Sequence, residues 1–174
     1  KTARPTIEIL VSRGPGHIAF SPWYLVRCLM TMLMRAPRKP LLHLHVAGRG
    51  STIRKIFVVH AGRLLGFPVV LHLHDYNYRK SYEAFPRAIR WAARSMFRRS
   101  QRVIALSAQD RDLLTKVLGV EPGRAEVLAN AVPASKGRRL TLEHRQAHII
   151  FLGNLSRRKC VHDLIISLAS NTLR

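Results

Sequence analysis

The strongest constraint in this sequence is a repeating alternation of short apolar blocks with longer amphipathic stretches. The blocks are Thr6 to Ser12 (TIEILVS), Leu41 to Ala47 (LLHLHVA), Val69 to His74 (VVLHLH), Arg102 to Ser107 (RVIALS) and Ala125 to Ala129. Between them, helical spacing runs over Ser21 to Arg35, Ile53 to Leu65, Ser81 to Arg99 and Ala108 to Leu118, with stops at Gly66, Pro68 and Gly119. Apolar blocks this short, bounded by turn residues, read as buried strands, and a parallel pair of strands needs a crossover helix between its members. The sequence therefore predicts an α/β fold built on a doubly wound parallel sheet, covered on both faces.

With 174 residues, 47 % of them hydrophobic, the chain has material for one sizeable core and part of another. The alternation breaks after Asn130. Pro133 to Gln146 (PASKGRRLTLEHRQ) is polar and lacks periodicity, as a link between compact units does. His148 to Leu152 is a new strand block, Gly153 to Lys159 a basic loop and Val161 to Leu173 a helix, which together open a second sheet. The expected organisation is a domain over 1–133, a linker over 134–146 and the first βα unit of an incomplete second domain over 147–174. A first residue that is Lys1 rather than Met, and a last helix that runs out at Arg174, read as a fragment. No apolar run reaches the roughly 18 residues of a membrane span and no leader opens the chain, so a cytoplasmic setting is expected. Cys28 and Cys160 belong to no CxxC pair and read as reduced thiols.

Charge is the second constraint. Thirty Lys and Arg against nine Asp and Glu give a formal net charge of +21. Arg87, Arg90, Arg94 and Arg98 recur at three- and four-residue steps, which sets them on one helix face opposite Phe85, Ile89, Ala92 and Met96. Such a stripe is attracted to anionic surfaces: a bilayer of acidic lipids, a phosphorylated lipid carrier or nucleic acid. The modules of specific nucleic-acid recognition are missing from the sequence: no RNP-like aromatic strand, GXXG clamp or zinc spacing occurs. Charge alone supports weak, non-specific nucleic-acid binding.

In open parallel sheets, ligands gather outside the carboxyl ends of the strands. The loops there hold Arg13-Gly14-Pro15-Gly16-His17, Gly48-Arg49-Gly50-Ser51, His74-Asp75-Tyr76-Asn77, Ser107-Ala108-Gln109 and Asn154 to Lys159. Gly14 and Gly16 let backbone approach a phosphate or sugar, but Ala19 replaces the third glycine of the dinucleotide fingerprint, which argues against a nicotinamide enzyme. His43 with His45, and His72 with His74, lie two apart on strands and so share faces. With no carboxylate or thiolate at ligand spacing, no metal site is expected from them. His74, followed by Asp75 at a strand end, is the candidate for acid/base or hydroxyl-orienting work.

Taken in order, the blocks HLHVAGRGSTIRK, FPVVLHLHD, RVIALSAQDRDLL, AEVLANAV and IIFLGNLSRRKCVHDLI resemble the family 4 glycosyltransferases of the GT-B fold, which pairs two Rossmann-like domains. The resemblance runs over almost the whole chain. Its most specific part joins Asn130-Ala131-Val132 to Gly153-x-Leu155-x-x-x-Lys159. It implies an acceptor-side Rossmann-like domain followed by the start of a truncated donor-binding one. It further implies transfer of a sugar from a nucleotide-diphosphate donor to an envelope glycan or lipid-linked acceptor, as in polysaccharide biosynthesis; the basic stripe adds the expectation of peripheral contact at the inner membrane face.

By the same resemblance, Lys159 matches the lysine on the donor diphosphate, Gly14 and Gly16 the glycine loop near the donor, and His74 the histidine near the reacting sugar. It implies neither cofactor nor metal, since a basic loop can do a cation's work. The sequence departs from the family at Asn154, where an arginine is usual and where donor contact is expected. It departs also at Cys160 and Ala131, where glycines are usual, at His17, and in lacking a glutamate pair spaced by seven. The alternative reading is a non-catalytic basic module that binds anionic membrane or nucleic acid.

Overall fold

In the computed structural model, residues 6–14, 17–131, 149–151, 153, 155 and 159–170 are described. The chain divides into two units, Lys1–Val132 and Pro133–Arg174.

In the first unit, four of the apolar blocks pair as parallel strands: β1 (Leu42–Val46), β2 (Val69–Leu73), β3 (Arg102–Ala105) and β4 (Ala125–Val127), in the spatial order β1-β2-β3-β4. The register sets Leu44 beside Leu71, His45 beside His72, Leu71 beside Val103 and Val103 beside Ala125. One face of the sheet is consequently a continuous apolar layer. Leu42, Val46, Val69, Leu71, Leu73, Val103, Ala105 and Ala125 are all buried on it, each large aliphatic side chain contributing about 1.5–3 kcal/mol.

Helices α1 (Ser21–Met34), α2 (Gly48–Leu64) and α4 (Arg87–Arg99) add to this core through Cys28 and Met32, Val58 and Val59, and Ala93, Met96 and Phe97. Helix α2 lies close over the sheet at Gly62. A Cβ there would stand 2.6 Å from Leu42 Cδ1 and 3.4 Å from Met32 Cε. The short α3 (Tyr78–Glu83) buries Tyr78, whose ring meets Phe97 edge-on at 5.6 Å.

Several expectations are corrected. Thr6 to Ser12 joins no strand ladder. Ile7 and Ile9 are 82 and 84 % exposed, while Glu8 pairs with Arg35 at 3.3 Å and the Ser12 hydroxyl accepts from Lys55 Nζ at 2.7 Å. Only Ser12 of this segment is buried, and the segment is held by these side-chain contacts instead of backbone pairing. The helix expected over Ser81 to Arg99 is two helices, because Pro86 has no N–H to donate and its ring clashes with the preceding turn. The helix expected over Ala108 to Leu118 is regular only in α5 (Ala108–Asp112). It then widens to π geometry over Leu113–Val117, with Leu118 N–H donating to the Leu113 carbonyl, before Gly119 turns out at φ +72°.

In the second unit, α6 (Val161–Ala169) forms as its apolar spacing predicts. Residues 149–151 of the expected strand carry no ladder. The proposed linker, His148, Leu152 and the last four residues lie outside the described set.

Candidate functional site

At the carboxyl edge of the sheet, β1 and β2 end side by side, and the backbone N–H of His74 donates to the Val46 carbonyl at 2.8 Å. The chain then turns so that Asp75 faces the start of α2. Its carboxylate accepts the N–H of Gly48 at 2.9 Å and that of Asn77 at 3.0 Å. The Ser51 hydroxyl accepts from Ala47 N–H at 3.3 Å. A helix start is electropositive and its first amides lack intrahelical partners. Here a carboxylate of the chain itself already meets that charge, so Gly48-Arg49-Gly50-Ser51 is the first turn of a helix and not an open phosphate cradle. Beneath it, the Thr52 hydroxyl donates to the Gly48 carbonyl at 2.8 Å and shares a hydrogen bond of 3.1 Å with the Tyr78 hydroxyl, whose pKa burial raises.

The sheet face opposite the core carries four imidazoles. His43 and His45 are exposed, His74 is half-buried and His72 is 8 % exposed. Ring centroids are 4.0 Å apart for His72 and His74, 4.6 Å for His45 and His74, and 5.3 Å for His45 and His72. Nε2 of His72 and Nε2 of His74 are buried with no hydrogen-bond partner. Burial pushes His72 down to about 4, and the neighbouring His74, His45 and His43 act in the same direction. Desolvation, followed by His74, His43 and Lys55, also lowers His45. At neutral pH His72 is therefore an uncharged ring with a lone pair.

The other sequence-predicted residues fall in separate places. Gly14 adopts φ +69°, a conformation that favours glycine, and a Cβ on it would collide with the Tyr24 ring, so both conformation and space call for glycine there. Gly16 and Asn154 lie outside the described residues. Lys159 is exposed in the second unit, two residues before α6, and Cys160 between them takes a left-handed φ of 54° that glycine would adopt at no steric cost. Cys160 is exposed, whereas Cys28 is buried and its thiol pKa is raised by that burial, with Lys55 pulling the other way.

Arg87, Arg90, Arg94 and Arg98 do share one face of α4, and they line a single cavity of about 710 Å³. Tyr82, Trp91, Ser95 and Arg99 complete its wall. Trp91 is 73 % exposed and had not been singled out from the sequence, although its position four residues after Arg87 and three before Arg94 places it on the same stripe. An exposed indole among guanidinium groups offers a flat apolar surface beside anion donors.

Residues 4–131 match the family described as Glycosyl transferase 4-like domain. The chain belongs to that family. The glycosyl transferase 4-like domain thus spans the first unit's sheet, its helices, the histidine-bearing face and the arginine cavity, and the parallel α/β architecture agrees with a Rossmann-like N-terminal domain of a family 4 glycosyltransferase. A glycosyltransferase has a sugar donor and an acceptor as its partners. A search of the curated proteins finds no match. Among the described residues, no helix of this glycosyltransferase domain or of the second unit is long and apolar enough to cross a membrane.

Proposed function

We infer that the chain is the acceptor-side domain, with the threshold of the donor-side domain, of a GT-B glycosyltransferase that moves a sugar from a nucleotide-diphosphate donor to a phosphorylated lipid-linked glycan. The observation that carries this reading is the arginine cavity on a glycosyl transferase 4-like domain. A cavity of about 710 Å³ lined by five arginines and an exposed tryptophan suits a polyanionic headgroup bearing a sugar. Arginine supplies paired donors to phosphate oxygens, and indole supplies a stacking surface for a sugar ring.

In the reaction so inferred, the bond between the anomeric carbon and the diphosphate oxygen breaks, and a bond from that carbon to an acceptor hydroxyl oxygen forms. The negative charge that develops on the leaving nucleoside diphosphate is met by Lys159 and by the N–H groups at the start of α6. His74 orients the acceptor hydroxyl and takes up its proton. Gly14, Gly16 and Asn154 approach the donor. The same arginines favour a peripheral position on an anionic leaflet, which is the second reading that Trp91 supports.

Calorimetric titration with nucleoside diphosphates and their sugar esters tests the donor assignment. Lys159→Ala should weaken binding about tenfold, or about 1.4 kcal/mol; unchanged affinity overturns it. Transfer of radiolabelled sugar to a polyprenyl-pyrophosphate glycan by the chain joined to a complete donor-side domain tests the acceptor assignment, and loss of transfer in Arg90→Ala/Arg94→Ala of that enzyme supports it. Equal rates in the parent and that variant overturn it.

A further inference from the structure

We propose that His43, His45 and His72 form a binding site for a divalent transition-metal ion of the zinc class, with an open coordination position beside His74. The parallel register sets His45 of β1 directly beside His72 of β2, and His43 follows two residues before His45 on the same face. One ligand nitrogen from each of the three lies within 4.8 Å of the others. An ion bound at the usual 2.0–2.1 Å would draw such nitrogens to about 3.3 Å from one another. His43 and His45 are exposed, so side-chain rotation closes that gap without moving the strands.

A second observation points the same way. His72 is nearly sealed from solvent, and its Nε2 has no hydrogen-bond partner. A buried polar nitrogen left unpaired costs about 1–3 kcal/mol, which an aliphatic residue at that position would avoid. Elsewhere the β2 side chains are Val and Leu. A metal bond through that lone pair removes the cost and accounts for imidazole in place of a third leucine.

His74 stands beside the trio, its ring 4.0 Å from that of His72. Its ring is also 4.6 Å from that of His45, so it borders the open position that three ligands leave for water or a substrate oxygen. Three imidazoles and no carboxylate suit zinc, nickel or copper, and do not suit calcium or magnesium, which prefer oxygen. A metal was not expected from the sequence, because spacing within each strand shows only pairs of histidines. The pairing of two strands makes the third ligand. This site goes beyond the transfer chemistry inferred above, which assigns no step to an ion.

Titration of the tag-free chain with Zn²⁺ by calorimetry, and with Co²⁺ by visible absorption, tests the proposal. One ion per chain is expected to bind with Kd about 1 μM or tighter, and Co²⁺ should give ligand-field bands of a four- or five-coordinate nitrogen site. The His43→Ala/His45→Ala variant changes only exposed side chains, and circular dichroism checks its fold. It should lose at least the roughly hundredfold that removal of a mere outer-shell partner can cost. His162→Ala, outside the cluster, should bind as the parent does. No binding tighter than about 1 mM by the parent, or retention of affinity within tenfold by the double variant, overturns the proposal.

Discussion

The Asp75 carboxylate accepts the backbone N–H of Gly48 at 2.9 Å, and this bond ties the start of α2 to the end of β2. Asp75 follows the candidate His74, yet its oxygens are committed to Gly48 and Asn77. It therefore acts as a cap supplied from another element. Asp75→Ala should lower unfolding stability by about 1–2 kcal/mol, the range of a lost helix cap. Asp75→Asn, which keeps an acceptor oxygen, should lose less. Urea denaturation measures both, and equal losses would mean that charge alone matters.

Thr52 and Tyr78 are both fully buried, and each hydroxyl is satisfied in part by the other at 3.1 Å. Thr52→Val would strand the Tyr78 hydroxyl and cost about 1–3 kcal/mol. Adding Tyr78→Phe should recover part of that loss, because no unpaired group then remains. A double-mutant cycle reads the coupling, and strict additivity would show that the hydroxyls do not interact.

Two opposing effects meet at Gly62. Alanine favours the helix by about 1 kcal/mol, whereas its methyl would press on Leu42 and Met32 inside a packed core, at about 1–3 kcal/mol. The clash should prevail, with Gly62→Ala net destabilising in thermal melts. Gly62→Ala combined with Leu42→Val should fall short of the sum of the two losses.

His72 makes stability depend on pH. Above about 6.5 its ring is neutral in both folded and unfolded chains. Below that the unfolded chain takes a proton first, and the folded chain does so only near 4. Stability is thus complete above the unfolded value and drains as pH falls from about 6.5 to 4, by at most about 1.4 kcal/mol per pH unit. Lowering of the His45 pKa acts with the same sign. In EDTA-treated protein, His72→Asn should flatten this profile in urea titrations at pH 7, 5.5 and 4.5.

The five α4 arginines are exposed or half-buried and none of them forms an ion pair among the described residues. Arg90→Glu/Arg94→Glu should leave stability within about 0.5 kcal/mol. It should abolish sedimentation with vesicles rich in phosphatidylglycerol and abolish the blue shift of Trp91 emission. The parent's binding should itself fade as salt shortens the Debye length from about 10 Å at 0.1 M to 3 Å at 1 M. Salt-independent binding would contradict a charge-driven contact.

The sheet was legible because each strand places its buried residues in a short apolar block bounded by turn residues: β1, β2, β3 and β4 lie inside the blocks read from the sequence, trimmed by one or two residues at their ends. Helix limits were less so. Gly48 and Gly50 look like loop residues because glycine lowers local helix propensity, but Asp75, distant in sequence, anchors the first turn of α2 there. Thr6 to Ser12 has strand composition, yet composition does not show whether a neighbour's backbone is available. Of the site, the arginine stripe was legible because it is periodic on one helix. The histidine trio was not, because its third member arrives through inter-strand register, a quantity no single segment carries.

The contrast between the two thiols has a practical consequence. Cys28 is sealed in the core with its ionisation suppressed, and Cys160 stands in solvent in the other unit. A maleimide fluorophore will therefore attach at one place without any engineered mutation. With the indoles of Trp23 and Trp91 as energy-transfer donors in the first unit, the labelled native chain becomes its own ruler for whether the two halves draw together when a sugar nucleotide is added.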